Sequence, residues 1–116
     1  MTIDVWIDFQ CPFCHDFEAA NGPTLQQFAA AGDAALVYHP LSFLGEESER
    51  AANAFGCAAD EGSAAEYLTV LFENQPTEGT GGFTTEDLIM LGERAGVGGS
   101  AFERCVEAGT YGAWIA

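Results

Sequence analysis

Two cysteines three residues apart, where an alternating apolar run gives way to a helical pattern, constrain this chain more than any other feature. They are Cys11 and Cys14 in Phe9-Gln10-Cys11-Pro12-Phe13-Cys14-His15. On the first turn of a helix such a pair lies close enough to bond. The leading cysteine there meets unpaired N–H groups and the positive end of the helix, which favour a thiolate. The spacing predicts a redox-active dithiol. Cys11, half exposed at the helix start, is the expected attacking thiolate, and Cys14, one turn in and buried, the expected resolving thiol.

The flanking residues supply the frame. Ile3, Val5, Ile7 and Phe9 alternate with Asp4, Trp6 and Asp8, a period of two that predicts a strand. Pro12 suits the first turn of a helix. Phe13, Phe17, Ala20, Leu25 and Phe28 extend that helix to about Ala31, with a bend or break expected at Asn21-Gly22-Pro23. Ala35 to His39 predicts a second strand ending at Pro40. Strand, helix and strand form a right-handed βαβ unit with parallel strands, and the dithiol falls at a strand's carboxyl end, where open α/β sheets carry their sites.

Beyond Glu46 the pattern is helical. Glu46 to about Asp60 is Ala-rich, with Gly62 just past its end. Ser63 with Glu66 and Ser100 with Glu103 have the spacing of capping boxes, and Thr84 or Thr85 is the expected cap of a helix stopped by Gly96. Gln75 to Gly82 reads as a loop, and Tyr111, Trp114 and Ile115 as the start of a further helix. The expected fold class is α/β: a βαβ part over residues 1–44 carrying the C-x-x-C, and helices over 45–116, in one compact unit. Two strands do not make an independently stable sheet, so partners for them are expected outside this sequence.

Charge narrows the function. Eighteen acidic residues against three basic ones give a formal net charge of −15. Nucleic acid and anionic membrane surfaces need clustered Lys and Arg, so both are excluded as partners. No run approaches the roughly 20 apolar residues of a membrane span. No Ca²⁺ loop spacing occurs. Zinc lacks a second ligand pair, so no metal is expected. Cys11 to His15 also spells the C-x-x-C-H of haem attachment, but Met1, Met90 and His39 show no arrangement as a second axial ligand, and no cofactor is expected.

Several residues modulate or compete with this chemistry. Pro12 and Phe13 bring no charge; a cationic His15 would favour the Cys11 thiolate, and Asp8 and Asp16 would oppose it. Asp8 is also a candidate acceptor for the Cys14 proton, or simply a strand-end carboxylate in water. His39 reads as a strand-end histidine rather than a ligand. Cys57 and Cys105 are either two small buried hydrophobes or a structural disulfide tying the first and last helices of the cluster. A bridge of that length would add roughly 4 kcal/mol in the chain-entropy picture.

Val5-Trp6-Ile7-Asp8-Phe9-Gln10-Cys11-Pro12-Phe13-Cys14 resembles the active-site strand and helix of DsbA-like thiol–disulfide oxidoreductases of the thioredoxin superfamily. Ser48 to Ala54, Cys57 to Gly62, Tyr67 with Leu71-Phe72, Gly96-Val97 and Phe102 to Val106 are similar to that family's inserted helical domain. The resemblance implies a thioredoxin fold with a helical insertion and disulfide exchange on protein thiols, with a redox partner to regenerate the pair. A further disulfide in the helical domain of some members would match Cys57 and Cys105. The family continues past the segment near Trp114 into two strands and a helix, the first strand preceded by a cis-proline loop. None of Pro12, Pro23, Pro40 or Pro76 matches that loop, so a C-terminally truncated or shortened member is expected. The family and the second cysteine pair favour an extracytoplasmic location, with a cytoplasmic one as the alternative. Two other readings remain: a cytosolic enzyme acting on small thiol or quinoid substrates, and a non-catalytic thioredoxin-like binding module. An unpaired sheet edge would also give the chain a route to a homodimer.

Overall fold

The computed structural model describes residues 2–41, 45–77 and 80–111. The chain runs β1 (Thr2–Ile7), α1 (Pro12–Ala30), β2 (Ala35–Pro40), α2 (Glu46–Asp60), α3 (Ala64–Glu73), α4 (Thr85–Arg94) and α5 (Ser100–Ala108). Strands β1 and β2 pair in parallel, in a register that sets Thr2 beside Ala35 and Ile7 beside Pro40. Parallel neighbours need a crossover, and α1 is that crossover. The alternation expected for β1 is realised: Val5 and Ile7 are buried while Thr2, Asp4 and Trp6 are exposed. Trp6 stacks on His39 across the strand pair, and His39 Nε2 lies 2.9 Å from Asp4 Oδ1, so His39 is held at the sheet surface.

The strand stops at Ile7, two residues short of the alternating pattern. Asp8 ends it by folding the chain back: its Oδ1 accepts from the Gln10 N–H at 2.8 Å and its carbonyl from the Cys11 N–H at 3.1 Å. A side chain that captures the backbone two residues ahead replaces the ladder with a turn. Helix α1 then runs through Asn21-Gly22-Pro23 without the expected break. Phe13, Phe17 and Phe28 lie exposed on it, and Glu18 and Gly22 are its buried residues.

Helix α2 is the centre of the helical cluster. Ala51, Ala52, Ala54, Phe55, Cys57 and Ala58 are all buried, and the small side chains let α3, α4 and α5 approach. Tyr67, Leu68, Leu71 and Phe72 of α3, Leu88 and Leu91 of α4, and Phe102 and Val106 of α5 complete the core. Two polar side chains of the cluster are paired across helices: the Tyr67 hydroxyl donates to the Leu88 carbonyl at 2.8 Å, and the Asn53 amide donates to the Val106 carbonyl at 3.4 Å. A side chain at Gly92 would run into the Phe102 ring, which explains glycine at the crossing of α4 and α5.

Three helix starts differ from the sequence reading or sharpen it. Ser63 is the N-cap of α3, but its side chain makes no capping hydrogen bond, and the cap of α5 is Gly99 rather than Ser100. The capping box forms at α4 instead, where Thr84 and Asp87 bond each other's backbone N–H groups at 3.1 Å. Asp at the third position does there what the Glu of the expected motif would do. Of the further helix expected from Tyr111, residues 112–116, with Trp114 and Ile115, lie outside the described residues.

Cys57 of α2 and Cys105 of α5 are joined in a disulfide closing 48 residues of sequence. The bond removes unfolded-state freedom as well as tying the cluster's first and last helices. Replacing both by alanine should lower unfolding free energy by about 4 kcal/mol, without changing the fold. Denaturant titrations of the two proteins, with Cys11 and Cys14 reduced in both, would test this; equal midpoints would refute it.

Candidate active site

The candidate site forms where β1 turns into α1. Phe9 packs its ring between Phe55 of α2 and Phe72 of α3, with centroids at 5.2 and 5.3 Å. That contact draws the whole turn under the helical cluster: Asp8, Phe9 and Gln10 are fully or almost fully buried. Asp8 Oδ1 accepts a second hydrogen bond, 2.7 Å from Ser48 Oγ of α2. Gln75, just past α3, donates through Nε2 to the carbonyls of Phe9 at 2.9 Å and Cys11 at 3.0 Å. Arg50 holds the carbonyls of Phe83 and Gly81, and the segment they fix lays Gly82 against the Gln10 side chain. The turn is thus tied to α2, to the end of α3 and to the loop before α4.

Cys11 is the N-cap of α1, in extended conformation, and Pro12 opens the helix. Its carbonyl also accepts from the His15 N–H at 3.1 Å, the first helical bond. The two cysteines are free thiols. Their burial is the reverse of the sequence expectation: Cys11 is buried, with 9% exposure, and Cys14 is only half-buried. Cys11 belongs to the turn that the cluster covers, whereas Cys14 faces β1 across an open cleft of about 360 Å³ lined also by Val5, Ile7, Phe13 and Phe17.

The groups around Cys14 set its protonation. Burial pushes its thiol above the ordinary value; the Asp8 backbone N–H, 3.5 Å from Sγ, pulls it down. A hydrogen bond with Cys11, then the charges of Cys11 and Asp8, push it up again. The balance keeps Cys14 protonated, as the donor towards Cys11. Asp8 therefore touches Cys14 through its backbone N–H, while Oδ1 of its carboxylate is taken by Ser48 and the Gln10 N–H; its Oδ2 is buried with no hydrogen-bond partner among the described residues. His15 is half-buried, with Nδ1 3.2 Å from Asp16 Oδ1 and its ring edge towards Phe72. Pro12 is exposed, and Phe13 is 83% exposed beside the pair.

Sequence reasoning did not single out Ser48 or Gln75. Ser48 sits among the acids of Glu46-Glu47-Ser48-Glu49, and Gln75 opens a Pro/Gly loop; neither position carries a pattern that distinguishes it from a surface residue. Among the described residues no group of three or more His, Cys, Asp or Glu is arranged to hold a metal ion, and no helix is long and apolar enough to cross a membrane.

Two measurements follow. Gln75→Ala leaves two carbonyls of the turn without their donor, at a cost of about 1–3 kcal/mol for each buried group. A thermal melt should show the loss, together with faster amide exchange at Gln10 and Cys11; unchanged exchange there would contradict the clamp. Cys14 provides the second. A thiol raised by folding contributes stability that is complete below its unfolded value and lost as pH climbs through its folded value. The reduced chain should therefore lose stability relative to Cys14→Ser as pH rises past the ordinary thiol value of 9.0. A constant gap would count against it.

Comparison with known proteins places this geometry in context. The sequence matches the thioredoxin family over residues 1–116. The structure is similar to the reduced form of the disulfide bond oxidoreductase DsbG from Mycobacterium tuberculosis, at 31% identity and a TM-score of 0.92. That match covers 98% of this chain and 59% of the other. It is similar also to oxidised DsbA from the same organism, at 31% identity and a TM-score of 0.91, over 98% of this chain and 63% of that one. MdbA, a thiol-disulfide oxidoreductase from Actinomyces oris, shares the fold at 21% identity and a TM-score of 0.80, over 98% and 60% of the two chains. The chain thus spans about three-fifths of the length of these solved structures. No curated protein matches.

Proposed function

This chain belongs to the thioredoxin family, in its DsbA-like branch, and from that membership we propose that it exchanges disulfides with protein thiols through Cys11 and Cys14. The observation that carries the reading is the asymmetry of the two thiols. Cys11 is the N-cap of α1, while Cys14 lies within its first turn, with its thiol pushed up chiefly by burial and its sulfur 3.5 Å from the Asp8 backbone N–H. A sulfur at a helix N-terminus is the one the helix end favours to attack and to leave, which assigns that role to Cys11 and the resolving role to Cys14.

In the oxidising direction a substrate thiolate attacks the Cys11 sulfur of a Cys11–Cys14 disulfide. A bond forms between substrate and Cys11 as the Cys11–Cys14 bond breaks, and Cys14 departs as a thiolate that takes up a proton. The second substrate thiolate then attacks the substrate sulfur of this mixed disulfide and releases Cys11. The substrate loses two electrons and two protons, and the pair gains both. Reduction of a substrate disulfide is the same path reversed, with Cys11 attacking and Cys14 resolving. A redox partner of opposite sense restores the pair after each turnover.

An extracytoplasmic site of action accords with the Cys57–Cys105 bridge, because structural disulfides persist in oxidising compartments. Pro12 and Phe13 give the pair an uncharged exposed rim suited to a polypeptide, and His15 and Asp8 modulate it from the helix and the strand end.

Single-cysteine variants test the assignment. Cys14→Ser should accumulate a mixed disulfide between Cys11 and a cysteine-bearing peptide, whereas Cys11→Ser should trap none and exchange no faster than the uncatalysed reaction. Mass spectrometry of the trapped species reads the outcome. Equal trapping by both variants would reverse or remove the assigned roles.

A further inference from the structure

Helix α1 buries one charged side chain, and the redox chemistry does not use it. Glu18 is 7% exposed, and its Oε2 has no hydrogen-bond partner among the described residues. A buried carboxylate without a donor is costly to keep and calls for a partner. The helix is shaped to keep it: a Cβ at Gly22 would collide with the Glu18 carboxylate, so glycine there opens the space the group occupies. Burial pushes the Glu18 carboxyl up, and its charge in turn acts on Tyr38 of β2.

Glu18 lines a cavity of about 300 Å³ between α1 and α3. His15, Glu18 and Ala19 come from one face of α1, and Thr69, Phe72 and Glu73 from one face of α3, each set at the i, i+3, i+4 spacing of a single stripe. His15 follows Cys14 directly, so the cavity opens one helical turn from the dithiol. Its walls are apolar at Pro23 and Phe72, and its charged groups are Glu18 and Glu73 with His15 at one end.

Among the described residues no arginine lines this cavity. The chain contains three arginines and no lysine. Arg50 is held by the carbonyls of Phe83 and Gly81, Arg94 lies 3.4 Å from Asn74 Oδ1, and Arg104 stands on α5. We propose that the cavity between α1 and α3 is a subsite for a lysine or arginine side chain of the polypeptide that exchanges disulfides at Cys11 and Cys14. The cationic head pairs with Glu18, under the field of Glu73, and the aliphatic stem lies along Pro23 and Phe72. The subsite gives the exchange reaction, on whose assignment it rests, a preference for basic residues near the reacting cysteine.

Two arms of one experiment separate the subsite from the chemistry. In the first, the reduced chain is titrated with a cysteine-free peptide carrying arginine and with its citrulline counterpart, followed by NMR. The arginine peptide should bind about tenfold more tightly, the effect of one charge-assisted hydrogen bond, and should shift signals of Ala19 and Thr69. Glu18→Gln should abolish that preference. Glu107→Gln on α5 removes the same charge far from the cavity and should keep it. In the second arm, dithiol peptides flanked by arginine or citrulline should differ about tenfold in kcat/KM with the parent chain and not with Glu18→Gln. Equal loss in both glutamine variants, or undiminished preference in Glu18→Gln, overturns the subsite and leaves only general attraction to an acidic protein. Selective binding without exchange of any peptide would instead sink the disulfide-exchange reading and leave the subsite standing. Folding does not confound the outcome. Glu18→Gln removes a carboxyl raised by burial, whose stabilising share is complete at low pH and lost as pH rises, so the variant should match the parent in acid and melt above it at neutral pH.

Discussion

The Phe9 ring, wedged between Phe55 and Phe72, is the contact on which the arrangement of the candidate site depends. It belongs to the turn between β1 and α1, yet it packs in the core of the helical cluster. Because Asp8 and Gln10 flank it, they are carried out of solvent with it, and among the described residues Asp8 Oδ2 and the Gln10 side-chain amide have no partner there. Asp8 finds Ser48 and the Gln10 N–H, and Gln75 satisfies the carbonyls of Phe9 and Cys11. A single aromatic anchor therefore couples the βαβ unit to α2 and α3, and sets Cys11 at the helix start as a consequence. A short parallel pair of strands has little capacity to hold such a turn unaided; the cluster supplies the rigidity.

The local elements were legible because each has a periodic or punctuated signal. The period of two in β1, Pro12 at the helix start, the Ala-rich run of α2 and Gly96 after α4 all read directly into structure. The cysteine motif and its place at the carboxyl end of β1 were equally plain. What the sequence concealed depends on contacts distant along the chain. Gln75 lies 64 residues from Cys11, and Ser48 lies 40 from Asp8, so no local pattern marks either as part of the turn. The burial of Cys11 beneath the cluster and the partial exposure of Cys14 have the same origin. A helix N-terminus seen in isolation presents its cap to solvent; this one is roofed by residues from elsewhere. The misread caps have a simpler cause, since Ser63 and Ser100 meet the spacing rule without adopting the geometry that makes it useful, and a neighbouring residue takes the position at Ser100.

A chain with a formal charge of −15 is a difficult host for chemistry that develops negative charge on sulfur. The local arrangement eases the conflict by engaging one oxygen of the Asp8 carboxylate elsewhere and by supplying neutral donors. The Asp8 carboxylate spends its Oδ1 on Ser48 and the Gln10 N–H, while its backbone N–H is the part that meets Cys14. Asp16 is drawn to His15 on the exposed side of α1. The donor closest to Cys11's own role is the Cys14 thiol, whose proton is retained by burial above all. The two thiols thus meet backbone and neutral donors first, with the buried Asp8 charge still acting on Cys14.

The same reasoning bears on what that acidity does away from the thiols. Dispersed surface carboxylates draw basic polypeptides towards the protein but confer no register, since screening flattens such fields within about 10 Å at ordinary salt. Register needs a charge held at one point in a low-dielectric wall, where its interaction with a partner is strong and short-ranged. Glu18 has that character: one carboxylate, buried in α1, given room by Gly22, and set one turn beyond the dithiol. An approaching chain gathered by the diffuse field would find here a fixed place to seat a cation, close in sequence to His15 and the two cysteines. Steering and alignment are then separate tasks, performed by different carboxylates of the same acidic chain.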